Sequence, residues 1–108
     1  MASLHEFKAE LFKALGHPIR LRILELLSTG ERTVSELQEA LEIEPSSVSQ
    51  QLSLMRARQL VTSRKNGTNV FYSVRDALVL DLLAIARQIF ENQVAQMNSA
   101  LDSDREAH

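Results

Sequence analysis

No cysteine occurs in the 108 residues. Its absence removes disulfides, thiolate metal sites and thiol redox sensing together. Only three glycines are present, and none belongs to a phosphate-cradling loop of the kind nucleotide-using enzymes carry. No apolar run approaches the roughly 20 residues needed to cross a bilayer. The beginning, MASLHEFKAELFKAL, mixes acids and lysines into its apolar pattern and does not read as a signal peptide. These absences point to a cytoplasmic protein with no membrane partner. A length of 108 residues with 44% hydrophobic residues suits a single globular domain, spanning 1–108, with a modest core.

A further absence is local. Between Pro45 and Arg75 there is no Asp or Glu, while Arg56, Arg58, Arg64, Lys65 and Arg75 give the segment a charge of +5. The chain as a whole carries −2, so the remainder carries −7. Such an asymmetry within one small domain suits a surface for a polyanion. Taken alone it is equally compatible with basic residues clustering on a solvated face.

Leu4, Phe7, Leu11, Phe12 and Leu15 recur at three- and four-residue spacing and predict an amphipathic helix over about 3–15. Gly16 suits a C-cap and Pro18 the first turn of a second helix, which is largely apolar through Ser28. The next residues, TGER, read as a turn. Thr33 with Glu36 is a capping-box signature for a short helix whose Val34, Leu37 and Leu41 face inward. Pro45 and the adjacent serines suit the cap of another helix, over about 46–59. Beta-favouring residues flank Asn66-Gly67, a strong signal for a hairpin turning on that dipeptide, with strands at about 61–65 and 68–74. A last helix is expected from about Asp76 to residue 98. Its Leu78, Leu82, Ile85 and Ile89 follow a near-heptad track that suits a dimer seam. The tail, 102–108, is expected to fray.

The helix over 46–59 is the unusual element. Val48, Leu52 and Met55 form a narrow apolar stripe, and that is all the core requires. The other side carries short hydrogen-bonding groups: Ser46, Ser47, Ser49, Gln50, Gln51 and Ser53. Serine is a mediocre helix former, so stability does not account for this choice. A helix that enters the major groove needs one packing stripe and one readable stripe. Glutamine fits adenine N7 and N6, and serine can bond base edges or phosphates. The hairpin tip, with Arg64, Lys65, Asn66, Thr68 and Asn69, offers cations and amides to a DNA backbone. The bland alternatives are a solvent-facing capped helix and an ordinary polar hairpin. The element order, mostly α with one small hairpin (α-α-α-α-β-β-α), is that of a winged helix-turn-helix.

The stretches ALGHPIRLRILELL, TVSELQEAL, SSVSQQLSLMRARQLV and SRKNGTNVFYSV cover most of Ala14 to Val74. In order and spacing they resemble the ArsR/SmtB family of bacterial winged-helix repressors. The resemblance implies a homodimer held by the first and last helices, through residues such as Leu4, Phe7, Leu11, Leu78, Leu82, Ile85 and Ile89. It also implies double-stranded promoter DNA with an imperfect palindrome as partner, and release by an inducer that the residues do not name. One departure is Gln59, where the family commonly has Gly before "LV"; Gly there eases a left-handed helix end.

Family members often sense metals. Here the last helix carries Asp76, Asp81 and Glu91 but no histidine, and only His5, His17 and His108 exist. His17, before Pro18, reads as a cap or surface residue. A site joining His5 to the last helix's acids is the alternative to a reading with no metal and no cofactor. An enzyme finds no support, since Glu42 and Glu44 flank a turn and read as solvated. A winged domain used only for protein contacts is the third alternative, though such a surface more often shows exposed aromatics.

Overall fold

The computed structural model describes residues 3–107. They fall into two compact units, one ending at Ala77 and one formed by the last helix. The first contains α1 (Leu4–Leu15), α2 (Pro18–Leu27), β1 (Arg32–Thr33), α3 (Val34–Leu41), α4 (Pro45–Ala57), β2 (Val61–Asn66) and β3 (Asn69–Val74); the second is α5 (Leu78–Ala107).

Local chemistry explains most boundaries. Ser3 caps α1 by accepting from the Glu6 N–H. His17 caps α2, its Nδ1 accepting from the Ile19 N–H at 3.2 Å, and Pro18 opens the first turn, where a missing N–H costs nothing. Thr33 and Glu36 close the capping box of α3 reciprocally. The core is aliphatic: Ile23, Leu24, Leu27, Leu37, Leu41, Val48, Leu52, Met55, Leu60 and Val61 are buried together with Ala14 and Leu15. Deleting one such side chain typically costs about 2–5 kcal/mol.

Four boundaries differ from the sequence expectation. α4 begins at Pro45, not Ser46, and Glu44 stands at its N-cap without a side-chain bond. Ser46 and Ser47 therefore lie inside the first turn rather than capping it. The hairpin turns on Gly67-Thr68, because Asn66 pairs with Asn69 in the ladder. Only Gly67, at φ +66°, supplies a positive φ, so Asn66 remains in the strand. The TGER segment is not all turn: Arg32 and Thr33 pair antiparallel with Tyr72 and Phe71, making a three-stranded sheet of order β1-β3-β2. Finally, α5 starts at Leu78 and continues through residues 102–107 as helix, where fraying is expected from the sequence.

Gln59 lies at φ +62°, the left-handed conformation that ends α4. The Leu60 N–H donates back to the Met55 carbonyl at 2.8 Å, closing the helix and seating buried Leu60. A side chain with Cβ is strained there, while glycine is not. Gln59→Gly is expected to raise stability by about 0.5–1 kcal/mol after the extra freedom of the unfolded chain is counted. Urea unfolding at fixed protein concentration measures this; an unchanged or lower midpoint would show that the helix end is not strained.

Candidate nucleic-acid interface

α4 is oriented by Val48, Leu52 and Met55, all buried. At 100° per residue, Ser46, Gln50, Ser53 and Ala57 occupy the opposite side, with Ser49 on one flank and Ser47 on the other. Ser46, Ser49, Gln50 and Ser53 are exposed, and Ser47 is half-buried. Among the described residues none of these five side chains makes a hydrogen bond. Their donors and acceptors remain available to an external partner.

Gln51 differs from its neighbour. It is half-buried, and its Oε1 accepts from Arg20 Nε at 2.9 Å. Arg20 Nη1 also donates to the Ala14 carbonyl at 3.1 Å. Gln51 thus links α4 to α2 and to the end of α1, away from the exposed face. A second link is made by Arg58 at the end of α4, whose Nη1 meets Glu10 Oε2 at 2.6 Å. α1 is thereby joined to both the middle and the end of α4.

Leu54 is a residue the sequence reading did not single out. It is 41% exposed and lies next to Gln50 on the outer face. The signal was available: its position falls outside the Val48-Leu52-Met55 stripe. A leucine at that place offers an apolar surface of the kind that contacts a thymine methyl group.

The first turn of α4 offers little to a phosphate. Pro45 has no N–H, and the N–H groups of Ser47 and Val48 donate to the Glu44 carbonyl. Glu42 and Glu44, both exposed, lie just ahead of that turn. Carboxylates so near the helix start oppose an incoming anion.

On the hairpin, Arg64, Lys65, Asn66, Thr68 and Asn69 are all exposed. Arg64 is nevertheless engaged. Its Nε donates to Glu31 Oε2 at 2.8 Å, its Nη2 donates to Glu31 Oε1, and its guanidinium lies 4.7 Å from the centre of the Phe71 ring. The hydrogen bond to Arg64, with the guanidinium's charge, holds the Glu31 carboxyl below the usual carboxylate range and raises Arg64 in turn. Of the five cations in the acid-free segment, Arg58 and Arg64 are paired with acids from outside it. Lys65 has no ion pair among the described residues.

Among the described residues no three His, Asp or Glu side chains gather as a metal-ligand set. Glu91, a candidate ligand in the sequence, pairs along α5 with Arg87 at 3.0 Å.

A family model for bacterial regulatory proteins of the arsR family matches residues 17–63, from the cap of α2 into β2. The HTH-type transcriptional regulator Rv0081 of Mycobacterium tuberculosis is 38% identical over 94% of this chain and 90% of its own length. This chain belongs to the ArsR family. As an ArsR-family member it is a DNA-binding transcriptional regulator rather than an enzyme. The crystal structure of the M. tuberculosis protein matches with a TM-score of 0.79, over 89% of this chain and 97% of that one. A biofilm growth-associated repressor of Xylella fastidiosa is 35% identical over 82% of this chain and 77% of that protein. The homodimeric winged helix-turn-helix DNA-binding domain of a possible ArsR-family regulator from Mycobacterium bovis is 30% identical, with a TM-score of 0.76 over 84% of each chain.

Proposed function

We propose that this ArsR-family regulator acts as a repressor, binding a palindromic promoter operator as a homodimer. In this reading α4 enters the major groove and the β2–β3 hairpin lies along the adjacent backbone. One observation carries it. α4 presents Ser46, Ser49, Gln50 and Ser53 outward with no internal partner, while its core stripe is fully occupied. An exposed helix face rich in poor helix formers is explained by what it touches, not by what it stabilises.

The dimer reading draws on exposed apolar side chains: Leu4, Phe7 and Phe12 on α1, and Leu78, Ile85, Ile89, Phe90 and Met97 on α5. Leu11 and Leu82, also expected at the seam, are half-buried in the single chain. The relative from M. bovis, described as homodimeric, supports the same assembly. Selection from a random duplex library tests the whole reading. The expected product is an inverted repeat with half-sites about one helical turn, roughly 34 Å, apart. Recovery of no common sequence would sink it.

The hairpin contributes affinity more than sequence preference. Lys65 is the cation free to meet a phosphate, and each such contact adds about 0.9 to the slope of log K against log salt. With two copies per dimer, Lys65→Ala should flatten the slope by about 2 units and leave the operator-to-random ratio intact. Arg64→Ala should flatten it less, since Glu31 already holds that charge. A collapse of the ratio with an unchanged slope would mean that the hairpin reads sequence or shape.

A further inference from the structure

The ion pair joins Arg64 on β2 to Glu31, the residue just ahead of β1, across β3. Arg64 on β2 lies directly opposite Phe71 on β3, and Phe71 lies opposite Thr33 on β1. Residues paired across an antiparallel ladder share a sheet face, and so does the residue two positions along a strand. Glu31 stands two residues before Thr33, just ahead of β1, within reach of Arg64 across β3. The Arg64 arm crosses over the Phe71 ring and meets Glu31 through two nitrogens.

This two-nitrogen fork on a carboxylate is the geometry with which arginine also grips a phosphate. The aromatic ring beneath holds the guanidinium in place through its face. Both partners are exposed, so the pair is screened and reversible. Nor is it required to shape the hairpin, because six paired positions from Val61↔Val74 to Asn66↔Asn69 already fix the ladder.

We infer that Glu31 is a built-in rival to DNA phosphate for Arg64, setting how tightly the protein holds duplex DNA of any sequence. While Arg64 rests on Glu31, one of the hairpin's two cations is withheld from the backbone. A phosphate that takes Arg64 must displace Glu31 and leaves its carboxylate uncompensated beside the DNA. Each encounter is thereby weakened, and sequence reading on α4 is left to decide where the protein stays. The inference rests on the DNA-binding reading above and adds a residue outside both the recognition helix and the hairpin.

The test is salt titration of binding to random-sequence duplex and to a selected operator, using full-length wild type, Glu31→Gln and Glu31→Gln/Arg64→Gln. Glu31→Gln is expected to bind both duplexes more tightly and to steepen the slope by up to about 2 units for the dimer. Its advantage over wild type should then be about tenfold greater at 50 mM than at 200 mM salt. The double variant should lose that advantage. Three results would overturn the inference. Binding of Glu31→Gln no tighter than that of wild type makes Glu31 inert or a brace for the hairpin. Retention of the gain in the double variant makes the effect a long-range charge effect not routed through Arg64. Absence of salt-dependent duplex binding by wild type sinks the operator reading as well; the first two results leave that reading standing.

Discussion

Ile85→Glu is expected to leave the chain folded, to make it monomeric at micromolar concentration, and to weaken operator binding by about 100-fold or more. Ile85 lies on α5 and is 54% exposed in the single chain. A charge at so exposed a position does not disturb the core of the protomer that carries it. In a dimer whose seam contains this residue, the same change would bury two carboxylates in an apolar surface. Unpaired buried charges are among the costliest errors an interface can hold. The DNA consequence follows from geometry. Two half-sites engaged by one dimer make the second contact intramolecular, and a monomer loses that advantage. Sedimentation measures the assembly, circular dichroism the fold, and a mobility shift the affinity. A variant that stays dimeric and keeps its affinity would move the interface away from this face of α5.

Gln50→Ala should cost about 1–3 kcal/mol per half-site on the selected operator and far less on random duplex. Gln50 is exposed on the side of α4 opposite Val48, Leu52 and Met55, and its amide has no internal partner. A side-chain amide is matched to the adenine edge, where it donates to N7 and accepts from N6. Gln51→Ala supplies the contrast. Its amide is engaged by Arg20, so removing it should lower folding stability and shift both duplexes alike. Measuring the operator-to-random ratio for the two variants side by side separates a reading residue from a positioning one. Equal losses on both duplexes for Gln50→Ala would remove it from the readers.

The sequence by itself determined the five helices, the existence of the β2–β3 hairpin and the core stripe of α4. Helical periodicity is a local property, so Val48, Leu52 and Met55 identify the buried side wherever the helix docks. Capping chemistry is equally local, as Thr33 with Glu36 illustrates. Asn66-Gly67 announced a hairpin, but the turn slipped by one residue because register is set by the whole ladder and not by the dipeptide. Only tertiary structure decided which polar side chains are free. Gln50 and Gln51 are the same residue type, side by side, yet 100° of helix rotation gives one to solvent and the other to Arg20. The charge of an acid-free segment likewise proved a local count of a non-local quantity. Glu10 reaches Arg58 from 48 positions away, and Glu31 reaches Arg64 from 33. What brings Glu31 there is β1, a strand of two residues. It is too short to carry a period, and its partners lie on β3, far along the chain; pairing of that kind is created by the fold and leaves no pattern in the segment itself.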